Sequence, residues 1–238
     1  MERDKHIARI ENLLQNEQPD VVCLQEAPEE FASNLKALGY YSNFAPTHIY
    51  NEKKFGVTLA HTKPFTCKTT YYHQANEPVG HRDGREQICS VSNPYLIAHL
   101  VIDGKSYTVA TTHAPVTKDG LEDDHQREII DNLLHYLDKE PPHIILGDFN
   151  IPRGYNQLYS KLMDHYQDAI PSSYPSSLDR NLHRHGNNKN LDQPIFDAYM
   201  VDYLFTKEPY VANEVRLEFG VSDHAAVVAN IGKIYNQR

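Results

Sequence analysis

The residues best suited to do chemistry lie in the run His-Ile-Ile-Leu-Gly-Asp-Phe-Asn-Ile-Pro-Arg, residues 143–153. Asp148 and Asn150 stand two apart, and side chains two apart on extended backbone point the same way. A carboxylate, which only accepts hydrogen bonds, is thereby paired with a carboxamide, which both donates and accepts. Such a pair can orient a water molecule and hold the group that the water attacks. The four residues 143–146 read as a short buried strand after the Pro141-Pro142 stop, and Gly147 as the point where the backbone turns sharply. The pair is then aimed off the end of a strand, where open α/β sheets place their ligands. The competing reading is a turn in which Asp and Asn hydrogen-bond their own backbone.

Other polar residues also close apolar runs. Val21-Val22-Cys23-Leu24 reads as a strand buried on both faces and ends in Gln25-Glu26. Glu26 is a metal ligand or base on one reading, and a cap for the following helix on the other. His113 ends a run after Thr111-Thr112, where an imidazole is at least a structural hydrogen-bonding group. Asp202 falls in the middle of an expected strand over residues 199–205. A carboxylate buried there costs several kcal/mol unless paired, so it needs a partner. Near the C-terminus, Ser222-Asp223-His224 precedes a last apolar strand over 225–231.

The elements that must position these residues follow from spacing. Ile7, Ile10, Leu13 and Leu14 predict an amphipathic helix over 3–16. Pro28 opens a second helix, with Phe31, Leu35 and Leu38 on one face and Gly39 at its end. Aromatic and β-branched runs within 40–75 predict antiparallel strands. Residues 95–102 and 106–113, joined through Asp103-Gly104, carry the clearest hairpin signal. A helix is predicted over 122–137 and a shorter amphipathic segment over 155–165, then a strand over 211–219. Two polar loops remain, 76–87 and 170–195; the first holds His81, Arg82 and Arg85 and reads as solvated surface. Both are expected at the site's mouth, because scaffold enzymes carry recognition on loops. Arg85 and Arg184 are the substrate-contacting residues expected there.

The chain has 238 residues, with 40% hydrophobic and 23% charged residues, and reads as one domain over 1–238 with a sizeable core. Its net charge of −9 argues against coating nucleic acid nonspecifically, since phosphate contacts dominate such binding. It leaves room for an enzyme whose metal ion supplies positive charge locally. Cys23, Cys67 and Cys89 show no paired spacing and read as free thiols in a reducing compartment. No apolar run approaches membrane-spanning length and the charged start lacks a signal-peptide core, so the cytoplasm is the expected location. No repeat of 20–50 residues is present.

No Cys/His cluster has zinc spacing, whereas carboxylates with an amide suit Mg²⁺ or Mn²⁺. A hard ion so held keeps waters and accepts phosphate oxygens, a composition that fits phosphate-ester hydrolysis. There is no Gly-rich phosphate loop and no Gly-x-Ser-x-Gly elbow, which leaves nucleotide-dependent transfer and serine hydrolysis without support. The order Leu24-Gln25-Glu26, Thr112-His113, Gly147-Asp148-Phe149-Asn150, Val201-Asp202-Tyr203, Ser222-Asp223-His224 resembles the endonuclease/exonuclease/phosphatase superfamily. That superfamily takes in DNase I-like nucleases, abasic-site endonucleases, neutral sphingomyelinases and inositol-polyphosphate 5-phosphatases. The resemblance spans about residues 7–231. Each motif alone is weak; five in this order are specific.

The resemblance implies an α/β, four-layer sandwich: two packed mixed β-sheets with helices outside. It implies that Glu26 is the main metal ligand and Asp223 a second metal-side carboxylate. Asp148 would orient or deprotonate the attacking water, with Asn150 positioning water and phosphate. His224 would hold a nonbridging phosphate oxygen with Asp202 as its partner, and His113 would assist the leaving group. Family members begin with a strand ending in an Asn that touches metal or phosphate, while here Met1 opens directly on the helix. The first strand is therefore expected upstream of Met1, with an open edge beside residues 21–26. The function expected is a Mg²⁺-dependent phosphodiesterase, a monomer acting on nucleic acid or a small molecule. The alternatives are a phosphomonoesterase of a small molecule or lipid headgroup, and a non-catalytic binding member of the family.

Overall fold

A computed structural model describes residues 2–74, 80–81, 91–183 and 195–234. The elements in order are α1 (Glu2–Glu17), β1 (Val21–Pro28), α2 (Phe31–Ala37), β2 (Tyr41–Tyr50), β3 (Lys53–His61), β4 (Cys67–His73), β5 (Gly80–His81), β6 (Asn93–Ile102) and β7 (Lys105–His113). A 3-10 turn at Lys118–Gly120 leads to α3 (Asp124–Leu137), β8 (Ile144–Asp148), α4 (Leu158–Met163), β9 (Gln167–Asp168), α5 (Ile195–Ala198), β10 (Asp202–Thr206), β11 (Tyr210–Glu218) and β12 (Ala226–Lys233).

The strands form a four-stranded sheet, order β1-β3-β2-β5, a six-stranded sheet, order β4-β6-β7-β8-β10-β9, and a two-stranded β11-β12 ribbon. Both larger sheets are mixed: β2 pairs parallel to β5 and β7 parallel to β8, the remaining pairs being antiparallel. Side-chain alternation fixes the layers. On β6, Leu96, Ala98 and Leu100 face inward onto Val57 and Leu59 of β3, making the core between the sheets. Tyr95 and Ile97, on the other face, pack with Ile129, Ile130, Leu133 and Leu137 of α3 and with Leu158 and Leu162 of α4. On the far side, Ile7, Ile10 and Leu14 of α1 and Leu35 of α2 cover Val22 and Ala60. The order helix, sheet, sheet, helix is the expected four-layer sandwich.

Local chemistry explains the boundaries. Asp103 and Gly104 both have positive φ, 49° and 75°, as a two-residue hairpin turn requires, so the Asp-Gly signal reads true. Asp123 caps α3 by accepting a hydrogen bond from the Gln126 amide at 2.7 Å, which starts the helix two residues later than the apolar spacing suggests. Pro28 closes β1 instead of opening α2. Gly147 does not turn the chain: β8 runs straight through it to Asp148. A Cβ there would sit 2.1 Å from the Thr112 carbonyl oxygen, so glycine is needed for close approach to β7.

Among the described residues β1 pairs with β3 alone and β12 with β11 alone. Among the described residues, then, no strand pairs with the other edge of β1 beside residues 21–26. Val21 and Cys23 of β1 nevertheless rest on the same inter-sheet core as Ile231 of β12 and Tyr210 of β11. Arg216 of β11 reaches Glu17 of α1 at 2.5 Å, so the ribbon and the first helix are tied together. Cys23 and Cys67 are free thiols, each pushed up in pKa by burial, to about 12 and about 11. No helix among the described residues is long and apolar enough to cross a membrane.

Candidate active site

The ends of three neighbouring strands bring the polar residues together. In the ladder, His113 of β7 lies beside Asp148 of β8, and Asp202 of β10 lies directly opposite Asp148. Asp202 is thus the first residue of its strand rather than its middle, because residues 199–201 are not part of the strand. Like charges directly opposite across an antiparallel pair repel, and both carboxylates are buried, at 8% and 9% exposure. Such an arrangement needs a cation or shared protons nearby.

His224 supplies the cation. Its Nδ1 donates to Asp202 Oδ2 at 2.7 Å and lies 4.0 Å from Asp148 Oδ2. Burial alone would lower the imidazole pKa, but the Asp202 charge and hydrogen bond, helped by Asp148 and Asp223, override it and raise the pKa to about 10. The ring is therefore charged at neutral pH, with Nδ1 committed to Asp202 and Nε2–H left to donate elsewhere. The partner demanded by a buried Asp202 is found.

Asp148 is set up differently. Its Oδ1 accepts from the Asn150 amide at 2.8 Å, an Asx turn made possible by a φ of 52° at Asn150. The structural and the chemical readings of this pair thus hold together: one oxygen fixes the turn, and Oδ2 faces His113 Nε2 at 3.6 Å. Burial, and then repulsion from Asp202, raise its pKa to about 6, against the pull of His224, His113 and the Asn150 amide. A carboxyl poised there is ionised at pH 7 yet basic enough to take a proton from water.

Asn150 locks the histidine beside it. Its Nδ2 donates to the Ala114 carbonyl at 2.9 Å and to His113 Nε2 at 3.1 Å. His113 Nε2 is therefore an acceptor, which assigns the ring proton to Nδ1. Behind the loop, buried Gln126 donates to the Pro115 and Asn150 carbonyls at 2.9 and 3.2 Å, and Asn156 donates to Gln126 Oε1 at 3.0 Å. These helix and loop amides hold the turn after β8 in place.

The carboxylate and imidazole ligand atoms of Asp148, Asp202 and His224 all lie within 4.8 Å of one another, so a metal ion fits this cluster by spacing. The chemistry of the donors narrows this. A His224 nitrogen that carries a proton to Asp202 has no lone pair for a metal, which leaves carboxylate oxygens, a donor set for a hard divalent cation. Glu26 and Asp223 lie outside that three-residue group. Glu26 is exposed, with φ 50° in the β-bulge between Leu24 and Ala27. Its neighbour Gln25 donates to Thr111 Oγ1 at 2.9 Å, which pins the end of β1 over β7 two residues before His113. Asp223 is half-buried next to His224 and adds to the field holding its proton. Arg85 and Arg184 lie outside the described residues, as does most of the 76–87 loop.

Sequence reasoning missed Ser177. Its hydroxyl donates to Asp202 Oδ2 at 2.6 Å from within the 170–195 segment. The need of Asp202 for partners was legible, but Ser172, Ser173, Ser176 and Ser177 look alike in a polar loop.

A model of the "Endonuclease/Exonuclease/phosphatase family" matches residues 1–224. No curated protein sequence matches the chain. Among solved structures, an endonuclease/exonuclease/phosphatase from Beutenbergia cavernae superposes with a TM-score of 0.67 at 18% identity; the match covers 95% of this chain and 66% of that one. TDP2 of D. rerio, solved with a single-strand DNA product, gives 0.68 at 15% identity, over 97% and 92% of the two chains. A mannosyl-6-phosphatase of Bacteroides thetaiotaomicron gives 0.67 at 13% identity, over 97% and 91%. At these identities the likeness concerns the fold.

Proposed function

The chain belongs to the endonuclease/exonuclease/phosphatase family, whose members are generally phosphoester hydrolases, and on that premise we propose that it is a divalent-metal-dependent phosphodiesterase. The observation that carries this is the trio Asp148, Asp202 and His224: a carboxylate raised to near neutrality beside an imidazole held charged. These are the acid/base states that in-line attack of water on phosphorus needs at pH 7.

In this reading Asp148 Oδ2 takes the proton of the attacking water, while its Oδ1 stays tied to the Asn150 amide. Asn150 and His113 are already hydrogen-bonded to each other and hold the water and the ester oxygens from the β7 side. His224 Nε2–H donates to a nonbridging phosphate oxygen as negative charge grows there, and Asp202 keeps the ring charged and oriented. His113 assists the departing oxygen by donating a hydrogen bond from Nδ1–H, which steadies the charge that gathers there while the proton itself comes from solvent. By the family resemblance Glu26 and Asp223 would hold the cation, Mg²⁺ or Mn²⁺, beside the carboxylate oxygens of the Asp148, Asp202 and His224 group, of which they are not part. When bound, the cation polarises the phosphate and offsets the negative charge of the transition state.

Phosphate-ester panels test the proposal: plasmid DNA, RNA, bis-p-nitrophenyl phosphate and p-nitrophenyl phosphate, each with Mg²⁺ and with excess EDTA. Turnover of a diester that EDTA abolishes is the expected result. Turnover of the monoester alone would replace it with a phosphomonoesterase, and no metal-dependent turnover on any substrate would overturn it.

A further inference from the structure

The segment around Ser177 is joined to both halves of the charged pair. Leu178 forms an isolated antiparallel bridge with His224. On either side of that bridge, the Ala225 amide donates to the Ser177 carbonyl at 2.8 Å and the Asp179 amide to the Asp223 carbonyl at 2.9 Å. The backbone of 177–179 therefore grips the backbone that carries His224. Asp179, buried at 2% exposure, fastens the grip: its carboxylate accepts from the Gly220 amide at 2.6 Å and from the Asn181 amide at 2.8 Å.

The Ser177 side chain faces the other way, onto β10. Ser177 has no exposed surface, and its Oγ makes three contacts there. It donates to Asp202 Oδ2 at 2.6 Å and accepts from the Val201 and Asp202 amides, each at 3.2 Å. Asp202 Oδ2 thus receives two hydrogen bonds, one from Ser177 and one from His224. A carboxylate with a single hydrogen bond can still turn about its χ2, because that torsion is broad. Two donors converging on one oxygen fix the plane of the carboxylate and with it the angle at which the imidazole is held.

We propose that Ser177 is a positioning residue for the reaction: its hydroxyl sets the Asp202 carboxylate against His224, while the backbone beside it sets His224 against Asp202. The proposal rests on the phosphodiesterase reading for its effect on rate and on the hydrogen bonds alone for the clamp itself. Ser177 is fully buried against β10 and has no exposed surface to offer a substrate, so its loss acts on turnover through the orientation of His224 and leaves ground-state binding in place.

The test is Ser177→Ala beside Ser177→Thr, with bis-p-nitrophenyl phosphate and Mg²⁺. The alanine variant is expected to lower kcat about 10- to 100-fold, the rate equivalent of one hydrogen bond to a charged group, with KM within about 2-fold of wild type. Threonine keeps the hydroxyl and is expected to recover most of kcat. Wild-type kcat in Ser177→Ala, a threonine variant as slow as the alanine one, or a loss carried wholly by KM would each overturn the proposal. Should Ser177→Ala not fold, Ser177→Cys, similar in shape but a weak donor, is read in its place. Amide hydrogen exchange separates this proposal from the function it rests on. Loss of the hydroxyl should speed exchange at Val201 and Asp202 relative to Leu204 in the same strand, whether or not any ester is cleaved. Unchanged exchange at both amides would refute the clamp; a wild-type protein inactive on every ester would refute the phosphodiesterase alone.

Discussion

Replacing Asp202 with asparagine tests the electrostatic core of the site most directly. The geometry barely changes, since an amide oxygen can still accept from Ser177 and from His224, but the charge is gone. Burial would lower the His224 pKa, and Asp202 is the foremost of the groups that raise it instead to about 10. Without that charge the imidazole returns to its ordinary range or below, about 6.5. At pH 8 a ring of that pKa is only about 3% protonated, so turnover there should fall about 30-fold from protonation alone. Asp148 also loses a like charge, the second cause of its raised pKa after burial, so the acid limb should not rise above the wild-type value near 6. Both limbs of the pH–rate profile therefore move toward lower pH. Comparing the two proteins at one Mg²⁺ concentration keeps the cation's own pull on these groups common to both. The stability cost should be modest: breaking a fully buried pair costs about 3–5 kcal/mol. Here, however, 28% of the His224 side chain is exposed, which weakens the pair by solvent screening, and the Asp148–Asp202 repulsion is relieved. A loss of about 1–2 kcal/mol, or a melting point lower by about 2–8 °C, is expected. The sign is fixed by linkage: because the folded pKa of His224 is raised, the pair stabilises the fold below about pH 6.5, and this is lost as pH rises toward about 10. Measuring kcat/KM from pH 5 to 10.5 decides the matter, and an alkaline limb in the same place in both proteins would refute the assignment of that limb to His224.

Further outcomes follow from the same geometry. Glu26→Ala should abolish metal-dependent turnover with an unchanged circular dichroism spectrum, Glu26 being exposed, and full activity in excess EDTA would sink the metal assignment altogether. Asp148→Asn should lower kcat by about 10²–10⁴-fold yet raise the metal-free melting temperature at pH 7. The folded pKa of Asp148 is about 6, above the unfolded carboxyl, so its ionisation opposes folding from about pH 4 upward and is at full strength above 6; an unchanged or lower melting temperature would contradict this. Gly147→Ala should unfold the protein or destabilise it by more than about 3 kcal/mol, because the added carbon meets a backbone carbonyl that cannot step aside; a fold of ordinary stability would show the β7–β8 approach to be looser than described.

Much of the site was legible in the sequence because its residues interrupt or close apolar runs. Buried strands announce themselves by composition, and a polar residue at the end of one has few structural reasons to be there, which singles out His113 and Asp148; Asp202 stands out instead by the cost of an unpaired carboxylate inside such a run. Position within the run was less secure. Asp202 opens β10 because the preceding residues are taken up by contacts with the loops: the Met200 carbonyl accepts from the Arg153 amide and the Tyr199 carbonyl from the Ser177 amide. Apolar character alone cannot distinguish such residues from strand. Gly147 was misread for a related reason. A glycine before Asp-x-Asn signals freedom of turn, whereas its use here is the absence of a side chain facing β7, a property of a neighbour 35 residues away in the chain. Ser177 carried no signal at all, since its role exists only once β10 and the segment before β12 have been brought on either side of it. Arg85 and Arg184 rest on charge and loop position alone and fall outside the described residues.

The arrangement makes sense as a balance between stability and chemistry. Placing Asp148 opposite Asp202 in a ladder is poor for folding, and a neutral pair there would be more stable. That same repulsion, added to burial, is what lifts Asp148 to about 6 and holds the His224 proton against burial. The unfavourable contact and the reactive one are the same contact. What prevents the site from relaxing is geometric: the two aspartates are fixed by register between β8 and β10, and His224 by its bridge to Leu178. Asp202 has little freedom to rotate out of conflict while Ser177 and His224 both hold its Oδ2. A site of this kind depends less on any single ligand than on rigid strands that keep like charges at close range, and substitutions that loosen register should cost activity before they cost the fold.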